Sequence, residues 1–161
     1  YMMWYELYID AISSPQYWKE ITSPPKTSTL PQAMDGDIYE YSEVQEQYAK
    51  LITQYHGSAL FIDYGYTTSN YGDSLQALYK HKPCEITEHI GNADLTTHVD
   101  FEWLARFFKQ SRIQTQREFL KENGIDIRYQ QLNSPTLKSG YHRLIDPNEM
   151  GSLFKVLTVR I

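Results

Sequence analysis

The chain has 161 residues, 41% hydrophobic and 22% charged, with a formal net charge of -5; this is enough chain for one domain with a real core, and the acidic balance argues against a protein that grips nucleic acid through a basic footprint. A single cysteine, Cys84, excludes an internal disulfide. No apolar run approaches the about 20 residues of a membrane-spanning helix, and the stretch from Tyr1 to Asp10 lacks the basic start and apolar centre of a signal peptide.

Trp4 to Ile9 alternates aromatic and β-favouring residues and predicts a strand. Residues 11–35 read as a loop-rich insertion carrying Pro15, Pro24, Pro25 and Pro31, followed by a turn at Gly36-Asp37. Ile38 to Tyr41 reads as a short extended piece. Ser42 and Gln45 have the spacing of a capping box. The helix they open, over 43–55, carries Val44, Tyr48, Leu51, Ile52 and Tyr55 on one face. Gly57 stands where a left-handed residue would end it.

Ala59 to Asp63 opens with a continuous apolar run, Ala59 to Ile62, that predicts a strand covered on both faces, as in a parallel sheet. A helix feeding such a strand needs an earlier parallel strand to cross over from. Upstream there is only 4–9 and a long loop, with no Gly-rich strand-to-helix turn. The chain therefore reads as the C-terminal part of a larger α/β fold, or else as a small α+β domain whose strands pair among themselves. Gly72 to Gln76 predicts a turn and a short helix capped by Asp73 or Ser74. Asp100 caps a helix bearing Phe101, Leu104, Ala105, Phe107 and Phe108. Thr115 and Glu118 form a second capping box, and Gly124 ends that helix. Residues 125–132 fit helix or strand equally by periodicity, and 135–140 a loop or weak helix. Asp146 to Glu149 predicts a helix start with Pro147 in first position. Residues 154–159 predict a terminal strand.

Asp63 is a candidate for chemistry because ligands of open α/β sheets bind beyond the carboxyl ends of the strands. Gly65 permits close backbone approach there, and Tyr64 and Tyr66 suit a pocket wall; the plainer alternative is that Asp63 caps a turn. Asp94, His98 and Asp100 have a spacing that invites a metal, and with it a small metal-dependent hydrolase. One histidine with two carboxylates is a poor zinc set, however, and Asp100 is better used as a cap. His56, His81, His89 and His142 show no ligand spacing, and Cys84 lacks a partner for nucleophilic catalysis. There is no Gly-x-Ser-x-Gly and no phosphate-binding loop.

Taken in order, Leu60-Phe61-Ile62-Asp63-Tyr64-Gly65-Tyr66, Gly72-Asp73-Ser74-Leu75-Gln76-Ala77, His81, Ala93-Asp94-Leu95-Thr96 and His98-Val99-Asp100-Phe101 resemble the MidA-type S-adenosylmethionine-dependent methyltransferases. The mitochondrial complex I assembly-factor arginine methyltransferase belongs to that group. The resemblance continues through Thr115-Gln116, Phe119-Leu120, Gly124-Ile125 and Arg128 to Met150-Gly151-Ser152-Leu153-Phe154-Lys155-Val156. Ser74 stands where that family usually has threonine.

The resemblance implies a Rossmann-like methyltransferase fold with a mixed sheet and helices. It covers the C-terminal half only, so 1–161 is expected to be a single partial domain whose N-terminal cofactor-binding half is missing. It makes 58–63 the fifth strand, sets 154–160 beside it, and favours helix for 126–132. Asp63, Asp94 and Asp100 are then the candidate catalytic carboxylates. Tyr64, Gly65, Tyr66, Asp73, Gln76 and His98 are the candidate substrate contacts. The cofactor of the family is S-adenosylmethionine, which this part of the fold is not expected to bind by itself. The implied substrate is protein arginine, on a respiratory complex I subunit, in the mitochondrial matrix or a bacterial cytoplasm. The alternative is a non-catalytic assembly module derived from the same fold. In either case the open edge of the 58–63 strand is expected to pair with another chain, giving a homo-oligomer.

Overall fold

A computed structural model describes the backbone of residues 5–9 and 16–20 and the full structure of residues 33–161. The chain divides into two compact units, one made of the described parts of 1–41 with Asn70–Thr97, the other of Ser42–Ser69 with His98–Ile161.

In the first unit, β1 (Tyr5–Ile9) pairs antiparallel with β2 (Gln16–Glu20). The expected strand is present, and the stretch read as loop contains a second one; the remaining loop positions up to Gln32 lie outside the described residues. β4 (Gln76–Tyr79) lies between β5 (Lys82–Cys84) and β6 (Asp94–Thr96), antiparallel to both. The helix expected after Gly72 is therefore a strand. Two features account for this. Glu40 accepts both the Ser74 N–H and its hydroxyl, which ties the connection to the extended piece and leads it into a strand. Lys80 and His81 both adopt positive φ (51° and 62°), the conformation that turns a two-residue hairpin.

The second unit is built on a four-stranded mixed sheet in the order β7-β3-β9-β8. β3 (Ser58–Tyr66) runs antiparallel to β9 (Phe154–Arg160) along almost its whole length and parallel to β7 (Val99–Asp100) only at Gly65 and Tyr66. β8 (Gln110–Thr115) completes the sheet on the far side of β9. The strand expected to stop at Asp63 thus continues to Tyr66, and β9 lies beside it as anticipated. From Ser58 to Tyr64 the other edge of β3 has no strand partner among the described residues.

Strand alternation sends Ala59 and Phe61 to one face of the sheet. They meet a core of Ala49, Phe101, Leu104, Phe108, Leu157 and Val159. Leu157 is fully buried, and so is Val156, which points the other way. α1 (Glu43–Ile52) is capped by Ser42, whose Oγ accepts the Gln45 N–H at 3.2 Å. It packs through Ala49 and Ile52. Of the face expected to be buried, Ile52 packs, whereas Val44, Tyr48, Leu51 and Tyr55 are exposed. A small alanine lets the helix sit close to the sheet, which the larger residues could not. Gly57 lies beyond the Thr53 cap with φ of 135° and exchanges backbone hydrogen bonds with Ile161, so it starts β3 rather than ending the helix.

α2 (Phe101–Ala105) begins at Asp100, and α3 (Gln116–Glu122) at Thr115, where both halves of the capping box are formed. Gly124, at φ 82°, follows α3. Residues 125–132 are helical, as α4 (Ile125–Leu132). The segment read as a weak helix is a 3-10 turn at Pro135–Leu137 running into α5 (Lys138–Ile145). The next helix, α6 (Met150–Leu153), begins after Glu149, not at Pro147. Asp146 instead closes α5 and turns its carboxylate onto the Asn148 N–H at 2.8 Å.

Candidate functional site

The candidate residues fall in both units, and each group has its own geometry. In the second unit, the end of β3 presents Tyr64 and Tyr66 on the face opposite Phe61. Tyr64 stands in register with Phe154 of β9, and their rings are 4.5 Å apart between centroids. His98, just before β7, lies 5.1 Å from the Tyr66 ring in an edge-on arrangement and 6.5 Å from that of Tyr64. The fold thus brings Tyr64, Tyr66, His98 and Phe154 into one aromatic cluster. Gly65 between the two tyrosines is buried, and a Cβ there would lie 2.1 Å from the Val99 carbonyl oxygen and 2.9 Å from the Phe101 ring. This close approach of β7 and α2 requires glycine and sets the cluster in place.

Asp63 is exposed, and the pleat puts it on the face opposite Tyr64 and Tyr66. Its Oδ1 accepts the Tyr64 N–H at 2.8 Å. Asp100 is half-buried, and its Oδ1 accepts the Trp103 N–H at 2.8 Å, the bond of an N-cap. One oxygen of each carboxylate is therefore committed to the backbone. The loop after β3 is held where Glu102 Oε2 accepts the Ser69 N–H at 2.6 Å.

In the first unit, Gln76 opens β4 opposite Thr96, and Asp94 opens β6 opposite Leu78. Those registers place Gln76 and Asp94 on one face of the hairpin as diagonal neighbours. Asp73 is exposed in the connection leading into β4. Asp94 belongs to this unit, His98 and Asp100 to the other. Among the described residues no group of three or more His, Cys, Asp and Glu side chains converges as a metal site.

Glu40, Phe154 and Glu102 are contacts that a reading of local pattern misses. Glu40 shows only as a carboxylate between two tyrosines in an extended piece. Phe154 can be placed against Tyr64 only once the β3–β9 register is known. The groove lined by Ser58, Leu60, Gln110, Arg112, Phe119 and Arg160 lies at the opposite end of β3 from the aromatic cluster.

Two turns of the second unit lead from a strand into a helix, at Asp100 and at Thr115. In each, the side chain of the capping residue takes an N–H of the first helical turn, and neither contains a glycine. Neither turn offers the open, glycine-lined N–H groups that hold a nucleotide-like ligand.

Residues 4–119 match the family model of S-adenosyl-L-methionine-dependent methyltransferases. The chain is 30% identical over 172 residues to the mitochondrial protein arginine methyltransferase NDUFAF7 of Rattus norvegicus, a match covering 94% of this chain and 39% of the relative. It is 34% identical over 131 residues to the NDUFAF7 of Danio rerio, covering 74% of this chain and 31% of that protein. Among solved structures, a Burkholderia thailandensis protein with S-adenosyl-homocysteine bound aligns with a TM-score of 0.74 at 19% identity, over 98% of this chain and 46% of that one. The chain thus spans less than half the length of these relatives.

Proposed function

Because the chain belongs to the MidA-type family of S-adenosyl-L-methionine-dependent methyltransferases, we propose that it forms the acceptor-side portion of such an enzyme and that the acceptor is a protein arginine. The observation that carries this reading is the cluster at the end of β3. Tyr64, Tyr66 and His98 offer aromatic faces beside a loop that Glu102 holds, and Asp63 and Asp100 lie on the same two strand ends. Aromatic faces and carboxylates are what a guanidinium binds. The relatives named as arginine methyltransferases agree with that choice.

A guanidinium is a weak nucleophile, since it stays protonated below a pH of about 12. In this reading the tyrosine rings orient its plane. A carboxylate holds its outer N–H groups, localises the charge and receives the proton released as the nitrogen is alkylated. Asp100 is the favoured proton acceptor, because its register opposite Tyr66 puts it on the face of the rings and only its Oδ1 is engaged by the cap; Asp63, on the opposite face, is the second candidate. Asp73, Gln76 and Asp94 contact the acceptor protein from their own surface in the first unit.

The two strand-to-helix turns of the second unit are closed by their own caps, which supports a cofactor site elsewhere. We assign the cofactor to the part of the fold that the longer relatives carry beyond this match. The relatives named as mitochondrial support a mitochondrial setting, with a complex I subunit as the proposed acceptor.

A second reading, a non-catalytic assembly module, is favoured by one observation, the edge of β3 from Ser58 to Tyr64 that has no strand partner among the described residues. The two are separated by incubating the full-length protein with S-adenosylmethionine and arginine-containing peptides and reading the products by mass spectrometry. A mass gain on arginine supports the enzyme. Recovery of unmodified peptide, with intact protein and bound cofactor, supports the module.

A further inference from the structure

Glu40 and Ser74 are far apart in sequence and tied twice in the first unit. Glu40 Oε1 accepts the Ser74 N–H at 2.9 Å, and the Ser74 hydroxyl donates to Glu40 Oε2. A third bond runs beside them, from the Gly72 N–H to the Ile38 carbonyl at 2.9 Å. The extended piece 38–40 therefore clasps the connection 72–74 on both sides of Asp73. Asp73 itself makes no part of the clasp and is exposed. A residue whose two neighbours are both hydrogen-bonded to one segment has little freedom in its own φ and ψ, so the direction of its Cα–Cβ bond is set. Next to the clasp the rings of Tyr39 and Tyr71 meet edge-on at 6.3 Å, which braces the same two segments.

The clasp is charged, with one carboxylate using both oxygens on one residue. Such charge-assisted bonds are about twice as strong as neutral ones. A carboxylate held this way is spent on geometry and is unavailable to a substrate. We propose that Glu40 is the positioning residue for Asp73, fixing that carboxylate for contact with a cationic residue of the acceptor protein. The proposal rests on the arginine-acceptor reading above and extends it to a residue that touches no substrate. It also gives a reason for a hydroxyl at position 74, since serine or threonine can fill that role and alanine cannot.

The test is steady-state methyl transfer by the full-length protein with an arginine-containing peptide, comparing Asp73→Asn, Glu40→Ala, the double variant, Ser74→Ala and Ser74→Thr. Circular dichroism checks the fold of each. The expected result is a KM for the peptide raised about tenfold in Asp73→Asn and in Glu40→Ala, with kcat within about twofold, the size of effect that one lost charge contact produces. The double variant should be no worse than either single one, because both remove the same contact. Ser74→Ala, which loses one arm of the clasp, should fall between, and Ser74→Thr should match the parent. If Asp73→Asn raises KM while Glu40→Ala and Ser74→Ala do not, the positioning role is wrong and the acceptor reading stands. If none of the variants moves KM, the acceptor role of this loop fails and the positioning role fails with it. Should Glu40→Ala not fold, Ser74→Ala against Ser74→Thr decides alone, and equal KM values overturn the proposal.

Discussion

Asp63 and Lys155 stand directly opposite each other in the β3–β9 register, yet each has another partner. The Asp63 carboxylate turns onto the Tyr64 N–H at 2.8 Å. The Lys155 ammonium donates to the carbonyls of Ser152 and Leu153 at the end of α6. Partial burial holds the Lys155 ammonium below its ordinary pKa. A cross-strand ion pair that register would permit is not made, so Asp63 keeps a carboxylate that no cation neutralises among the described residues.

This arrangement predicts near-zero coupling between the two residues. Asp63→Asn should change stability by no more than about 0.5 kcal/mol, as for an exposed position. Lys155→Met should cost up to about 1 kcal/mol, through lost contacts at the α6 end. Urea unfolding of the single and double variants checks this. A coupling energy above about 0.5 kcal/mol would mean the pair forms in solution.

Gly65 is predicted to tolerate no side chain. A Cβ 2.1 Å from the Val99 carbonyl cannot be accommodated without parting β3 from β7, and Phe101, which it also meets, is almost fully buried. Gly65→Ala should destabilise by about 1–3 kcal/mol, the range for overpacking. That corresponds to a loss of several degrees in Tm for a domain of this size. An unchanged melting curve would show that the two strands do not approach this closely.

Acid should unfold the helical part of the second unit through identifiable carboxylates. Lys121 and Tyr141 bond Asp126 at 2.8 and 2.6 Å and hold its carboxyl below the usual range. Arg112 and then Gln114 do the same for Glu122, and the Thr115 backbone and hydroxyl for Glu118. Each group titrates lower in the folded state than in the unfolded one. The stability it contributes is therefore complete above about pH 4, the unfolded range, and is lost as pH falls through the depressed folded value. Tyr141 has the opposite sign, because its bond to Asp126 raises its pKa. Its contribution is complete below about pH 10 and lost as pH rises through the folded value. Asp126→Asn should flatten the stability profile at both ends, read from urea midpoints across pH; a profile parallel to the parent's would refute the assignment.

The β3 edge should be sticky. Leu60 and Ile62 are 50% and 46% exposed beside backbone groups without a strand partner among the described residues. Such an edge tends to recruit another strand. Sedimentation of this 161-residue chain should show concentration-dependent association, weakened by Ile62→Lys. A strictly monomeric chain at all concentrations would count against this. The cofactor assignment has a separate check. Calorimetric titration of the same chain with S-adenosylmethionine should give no heat of binding, whereas micromolar affinity would place a cradle within it.

What could be read from the sequence follows from how local each cause is. Ser42, Asp100 and Thr115 cap their helices through bonds to residues three positions away, so the capping pattern suffices. The 59–63 strand shows in its unbroken apolar run, and its continuation to Tyr66 needs β7 and Phe154. β4 was hidden because its cause lies in Glu40 and in two partner strands. α1 was placed correctly and oriented wrongly, since the residue that packs, Ala49, carries a weaker apolar signal than the exposed Tyr48 and Leu51. Within the candidate site, Tyr64, Tyr66 and His98 come together as a cluster, whereas the side of the sheet that Asp63 takes follows only from the extended length of β3.

Asp100, on the face of the Tyr66 ring, is expected to serve methyl transfer as well as to cap α2. The most direct measurement is turnover of labelled S-adenosylmethionine onto an arginine-containing peptide by full-length protein carrying Asp100→Asn, since asparagine caps a helix as well as aspartate does. A proton-accepting role predicts a fall of about a hundredfold or more in kcat, with the melting temperature unchanged. Turnover equal to that of the parent would contradict it.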